Sequence, residues 1–127
     1  MAHPGLRVLV VEDNEVNLLL MESILKVNGC EIVTATTSRD GIESALREKP
    51  DLIFMDIQLP DGDGLDAVTQ IRSDLGSEIP IAVVTAHAFT EYRTRATKAS
   101  CQYFITKPLS LPAIEAVLKE VSEKRVH

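Results

Sequence analysis

The sequence predicts an α/β fold in which a doubly wound parallel sheet of five strands is flanked by five helices. Three observations predict it. Apolar runs of four or five residues alternate with longer segments of helical period, and the alternation repeats five times along the chain. The runs are almost unbroken by polar residues, as strands buried on both faces require; parallel strands are buried that way because each right-handed crossover lays its helix over the sheet. The chain has 127 residues. Roughly 100–200 residues close a single core, so residues 1–127 are expected to form one domain.

The elements follow in order. Leu6-Arg7-Val8-Leu9-Val10-Val11 reads as a buried strand over residues 6–11. A helix over residues 14–28 sets Val16, Leu19, Leu20, Ile24 and Leu25 at helical spacing, and Gly29 is its expected stop. Residues 31–36 form a β-branched second strand; Ser38 is placed to cap a helix reaching residue 48, with Ile42, Ala45 and Leu46 facing inward and Pro50 ending the segment. The third unit is a strand over residues 51–55 and a helix over 65–75. The fourth is a strand over 80–84 and a helix over 89–100. The last is a short strand over 103–106 and a helix over 110–122.

Composition narrows the function. With 45% hydrophobic and 25% charged residues the chain is ordinary globular material. No apolar run approaches the roughly 20 residues of a membrane helix, and no signal-peptide pattern opens the chain, so a cytoplasmic protein without membrane contact is expected. Cys30 and Cys101 lack a Cys-x-x-Cys spacing, and His3, His87 and His127 are scattered, which disfavours zinc and suggests reduced, packed thiols. A net charge of −6 and 4% aromatics argue against a nucleic-acid surface. That charge is unevenly spread: residues 1–80 hold 15 acids and 6 bases, residues 81–127 hold 4 acids and 7 bases.

In doubly wound sheets, ligands bind outside the carboxyl ends of the strands. Glu12 and Asp13 stand after the first strand, Asp56 after the third, Thr85 after the fourth and Lys107 after the fifth. Taken singly, Asp13 or Asn14 reads as a helix cap, Thr85 as another, and Lys107 as a solvated residue before Pro108. Asp56 directly follows Leu52-Ile53-Phe54-Met55, where a carboxylate is costly without a partner. The fold brings all of them to one sheet edge. Three carboxylates and one ammonium leave two negative charges, which a divalent cation balances. Oxygen ligands suit Mg²⁺, or Mn²⁺ in its place. A cation, a lysine and a hydroxyl around one carboxylate are the groups that phosphoryl transfer to that carboxylate requires.

Other sites lack their residues. No Gly-x-Gly-x-x-Gly or P-loop sequence occurs. Asp61-Gly62-Asp63-Gly64 fails the EF-hand pattern at Leu65 and reads as a tight turn after Pro60.

At these residues the sequence resembles the receiver domain of two-component response regulators along essentially its whole length. The matching pieces are Val10-Val11-Glu12-Asp13-Asn14, Met55-Asp56-Ile57-Gln58-Leu59-Pro60 with Gly64, Val84-Thr85-Ala86, and Ile105-Thr106-Lys107-Pro108-Leu109. Asn17 and the Asp-Ile-Gln-Leu-Pro stretch are most similar to stand-alone cell-division-type receivers and to receivers of hybrid histidine kinases. The resemblance implies a flavodoxin-like sheet of strand order 2-1-3-4-5 and a set of roles. Asp56 would be the phosphoacceptor. Asp13 and Asp56 would bind Mg²⁺ directly, Glu12 through water, and Gln58 by its backbone carbonyl. Lys107 would pair with the carboxylate and then with the phosphoryl group, and Thr85 would donate its hydroxyl.

Phe104 would turn inward as Thr85 moves, with Tyr103 beside it as a second aromatic at that surface. Gln58 and His87 would tune the lifetime of the phosphorylated state, and the Lys107-Pro108 bond would be cis. The implied partners are a sensor histidine kinase or histidine phosphotransfer protein as donor and a downstream protein bound at helix four, strand five and helix five. Gly62 and Asp63 replace the more usual apolar-then-polar pair, making that loop more flexible and acidic. Two other readings share parts of the pattern. A haloacid-dehalogenase-type phosphatase wants Asp-x-Asp, where Gln58 replaces the second Asp; a receiver-shaped interaction module would need none of the five site residues.

Overall fold

The computed structural model describes residues 5–76, 78–87 and 90–125. Its elements alternate from the start: β1 (Arg7–Val11), α1 (Glu15–Val27), β2 (Glu31–Ala35), α2 (Ser38–Glu48) and β3 (Leu52–Asp56). Two short strands follow, β4 (Gln58–Leu59) and β5 (Gly62–Asp63), then α3 (Gly64–Leu75), β6 (Ile81–Thr85), α4 (Thr90–Lys98), β7 (Tyr103–Thr106) and α5 (Leu111–Arg125). The main sheet is parallel in the order β2-β1-β3-β6-β7, the expected 2-1-3-4-5 order with the β4–β5 hairpin set aside.

The alternation of side chains along β1 sorts the core. Val8 and Val10 face α1 and α5 with Phe54, Val84 and Ile114, whereas Leu9 and Val11 face α2 and α3 with Ile53, Met55 and Ile71. A third cluster of Ile57, Leu65, Val83 and Ala96 seats α4 on the latter face. Every residue of β3 and β6 is buried. Each such aliphatic side chain contributes about 2 kcal/mol by leaving water, so β3 and β6 anchor the sheet from its interior. Among the described residues, no helix is long and apolar enough to cross a membrane.

Several boundaries and faces differ from the sequence reading. Asp56 and Thr85 are the last residues of their strands rather than the first residues beyond them, because the sheet ladder pairs Asp56 with Val84 and Thr85 with Thr106. Asn14 caps α1, its Oδ1 accepting from the Asn17 amide at 2.9 Å. Thr37, not Ser38, caps α2 and accepts from the Asp40 amide. Asn28 ends α1 and Gly29 follows at φ 77°. On α1 the buried residues are Met21, Ile24 and Leu25, while Val16, Leu19 and Leu20 face solvent. Leu46 is exposed as well. The predicted start of α4 at Phe89 lies outside the described residues, as do His3 and His127. Helix α5 runs to residue 125 rather than 122.

Candidate functional site

Strand register alone brings the predicted groups together. Val11 pairs with Met55, so Glu12 and Asp56 are neighbours one step further along; Asp56 pairs with Val84, and Thr85 with Thr106, which sets Lys107 at the same edge. Glu12 is 3% exposed, Asp56 3% and Thr85 0%, while Asp13 opens to solvent. Buried charges at this edge are tolerated only with partners.

The partner is Lys107. Its Nζ lies 3.0 Å from Glu12 Oε1 and 3.1 Å from Asp56 Oδ2, bridging the two buried carboxylates. The Gln58 amide donates to Asp56 Oδ1 at 3.0 Å and the Asn14 amide to Glu12 Oε2 at 3.2 Å, so each acid also holds a backbone N–H. Burial, then the hydrogen bond and charge of Asp56, push the Glu12 carboxyl from 4.5 up to about 6, against the opposing pull of Lys107 and the Asn14 amide. For Lys107, burial works against the charged form, but the bonds and charges of Glu12 and Asp56 outweigh it and hold the ammonium above its ordinary range.

Glu12, Asp13 and Asp56 offer oxygens that all lie within 4.8 Å of one another. Three hard oxygen donors converging at the mouth of the sheet, with no sulfur or imidazole among them, fit a small divalent cation of the Mg²⁺ class. The loop that follows is built tightly against the acid. Gly64 donates its amide to the Ile57 carbonyl at 2.7 Å, and a Cβ on Gly64 would overlap the Asp56 carbonyl oxygen, so only glycine allows this approach.

Thr85 Oγ1 accepts from the His87 amide at 3.0 Å and the Thr85 carbonyl accepts from the Lys107 amide at 2.7 Å. His87 lies beside Tyr92, ring centroids 6.2 Å apart. The Lys107-Pro108 bond is cis. Phe104 is half-buried against the α4 cluster and lies under the Arg93 guanidinium, 4.4 Å from the ring centroid. Tyr103, one residue earlier on β7, points to the opposite face toward α5, where Lys124 Nζ lies 5.9 Å from its ring. The two aromatics are therefore on opposite sides of the sheet. Cys30 and Cys101 are free and half-buried, and burial pushes the Cys101 thiol up to about 11.

Two carboxylates in the loop after Asp56 make contacts that the reading of a tight turn does not anticipate. Asp61 accepts from the amides of Ser38 and Arg39 at 2.6 and 3.0 Å, and these bonds hold its carboxyl below the usual range. Asp63 caps α3 through the Leu65 amide and meets Arg95 of α4 at 2.9 Å. Neither the Asp61 bonds to α2 nor the Asp63–Arg95 pair has a periodic signature, since each spans more than 20 residues. An Asp beside Pro60 signals only the turn itself.

Comparison with known proteins bears on the same edge. The family model for the response regulator receiver domain matches residues 8–119. The polar-differentiation response regulator DivK of Brucella anthropi is 34% identical over 113 residues, covering 88% of this chain and 92% of that protein. Among solved structures, a CheY-like response regulator receiver domain protein from Methanospirillum hungatei superposes with a TM-score of 0.88 at 25% identity, over 94% of each chain. The receiver domain of a sensor histidine kinase from Pseudomonas aeruginosa, solved with a magnesium ion coordinated in its active-site cleft, superposes at 0.85 with 30% identity, covering 94% of this chain and 98% of that one.

Proposed function

This chain belongs to the response regulator receiver domain family of two-component signalling, and from that premise we propose that Asp56 accepts a phosphoryl group from a phosphohistidine and that the product switches a protein contact. The observation that carries the proposal is Lys107 Nζ set between Asp56 and Glu12, with Asp13 beside them. A lysine merely neutralising a surface acid has no reason to bridge two buried carboxylates.

The donor is a sensor histidine kinase or a histidine phosphotransfer protein. An Asp56 oxygen attacks phosphorus, the phosphorus–nitrogen bond breaks, and the imidazole nitrogen leaves and takes up a proton. When bound, Mg²⁺ or Mn²⁺ supplies positive charge to the transferring oxygens, held by Asp13 and Asp56 directly, by Glu12 through water and by the Gln58 carbonyl. Lys107 keeps its charge throughout and passes from the carboxylate to a phosphoryl oxygen. Thr85 turns its hydroxyl from the His87 amide toward another. These groups act on the chain's own carboxylate, assisting its phosphorylation and its hydrolysis rather than turning over a separate substrate. Gln58, two residues after Asp56, and His87, two after Thr85, set how long the adduct lasts.

A protein donor is supported by the face next to the site. Val16 and Leu19 are 74% and 62% exposed on the first turns of α1, directly after Asp13, and Leu111 is exposed four residues past Lys107. Exposed apolar side chains on the helices that follow Asp13 and Lys107 suit a protein surface. On the output side, movement of Thr85 frees room for Phe104, which leaves Arg93 and alters the surface of α4, β7 and α5 that a downstream protein reads. The test is an amide NMR titration with Mg²⁺ and beryllofluoride. The proposal expects shifts at Thr85, His87 and Phe104 that vanish in Asp56→Asn; an unchanged spectrum at saturating Mg²⁺ refutes it.

A further inference from the structure

The geometry points to Asp61 as a positioning residue of the metal and phosphoryl site: its carboxylate straps the β4–β5 hairpin to α2 and thereby fixes the Gln58 end of the site relative to Glu12. This rests on the reading of Asp56 and Mg²⁺ given above. The hairpin has two residues in each strand, too few to hold its own geometry in water. Gly62 supplies no side chain, lies at φ 156°, and a Cβ there would meet nothing within 4 Å. Leu59 anchors the first strand of the hairpin in the core, and the polar turn beyond it is tied down by the acids on either side of that glycine.

Asp61 uses both oxygens, one for the Ser38 amide at 2.6 Å and one for the Arg39 amide at 3.0 Å. These donors belong to the first turn of α2, where Thr37 Oγ1 takes the Asp40 amide and the Thr37 carbonyl takes the Gly41 amide. The helix end is thus a fully bonded, rigid base. It is also tied to the other half of the site. A Cβ on Gly41 would lie 2.9 Å from Val11 Cγ2, so α2 rests directly on the residue before Glu12. The Glu12 amide donates to the Ala35 carbonyl at 3.0 Å, two residues before the Thr37 cap. A continuous ring of bonded contacts runs from Glu12 through Ala35, α2 and Asp61 to the hairpin, Gln58 and Asp56. Among the described residues, Asp61 supplies the side-chain hydrogen bonds between the end of α2 and the hairpin, beside the apolar packing of Leu59 in the core cluster that holds Ala45.

The test compares Asp61→Ala with Thr37→Ala, measuring Mg²⁺ affinity by calorimetry and amide exchange at Gly64, whose N–H closes the loop on Ile57. Thr37→Ala removes a cap from the same helix and leaves the strap. A positioning role predicts that Asp61→Ala weakens Mg²⁺ binding about tenfold, the lower end of what supporting contacts around a metal site are worth, and speeds Gly64 exchange. Thr37→Ala then lowers the melting temperature with Mg²⁺ affinity unchanged. Asp61→Asn keeps one acceptor oxygen and falls between the two. If both alanine variants melt earlier and bind Mg²⁺ as the unaltered chain does, Asp61 only caps α2 and the inference is wrong. Absence of Mg²⁺ binding in the unaltered chain overturns the underlying reading and this inference with it.

Discussion

Asp56→Asn should make the metal-free protein more stable, although it removes a buried, lysine-bridged carboxylate. The oxygens of Glu12, Asp13 and Asp56 lie within 4.8 Å of one another, and Lys107 Nζ is 3.1 Å from Asp56. At an effective dielectric of about 20, each carboxylate pair at that separation repels by about 3.5 kcal/mol and the Lys107–Asp56 pair attracts by about 5 kcal/mol. Asp56 meets two such repulsions and one attraction, so its charge is unfavourable by about 2 kcal/mol before desolvation is counted. Asparagine keeps an acceptor for the Gln58 amide, and Lys107 keeps Glu12. Urea unfolding in EDTA at pH 7.5 should therefore show Asp56→Asn more stable than the unaltered chain by about 1–2 kcal/mol. Added Mg²⁺ should raise the midpoint of the unaltered chain and barely move that of the variant, since only a cation that binds the folded site stabilises it. A variant that is less stable in EDTA, or equally responsive to Mg²⁺, would show that the three carboxylates are not crowded as described.

Three further outcomes follow from single residues. In EDTA, the raised Glu12 carboxyl contributes stability that is full below its ordinary 4.5 and is lost as pH rises through about 6. Going from pH 7.5 to 5.5 should thus add about half a kcal/mol after solvent screening, and less in Asp56→Asn; denaturation at the two pH values checks this. Gly64→Ala should cost about 2 kcal/mol or more in urea unfolding, because its Cβ overlaps the Asp56 carbonyl oxygen and the strand end must shift. Ser100 sits at φ 63° after α4, so Ser100→Gly should raise stability by about 0.5–1 kcal/mol in the same assay, with Mg²⁺ affinity unchanged.

The fold was legible because strand burial and helix period dominate this chain. Leu52-Ile53-Phe54-Met55 and Ile81-Ala82-Val83-Val84 leave no reading other than buried strands, and parallel register then delivers Glu12, Asp56, Thr85 and Lys107 to one edge. Period alone was not enough on α1. Leu18-Leu19-Leu20-Met21 is apolar around most of a turn, so helical spacing fits Val16 and Leu19 to the core as well as it fits Met21 and Leu25; packing against β1 and α5 decides for the latter pair. Ser38 and Thr37 are equally good caps by composition, and the extended backbone of Thr37 selects it. Asp61 and Arg95 were illegible for a different reason. Their contacts join segments more than 20 residues apart through side chains on a loop and on a polar helix, where no repeating pattern marks the partner.

The most direct test of phosphoryl acceptance is intact mass spectrometry after incubation with Mg²⁺ and acetyl phosphate. Acceptance at Asp56 predicts a gain of one phosphoryl group, stable in acid and labile in base, that maps to Asp56 and disappears with EDTA or in Asp56→Asn. An unmodified mass with Mg²⁺ present, or a phosphoryl group that persists in Asp56→Asn, would contradict it.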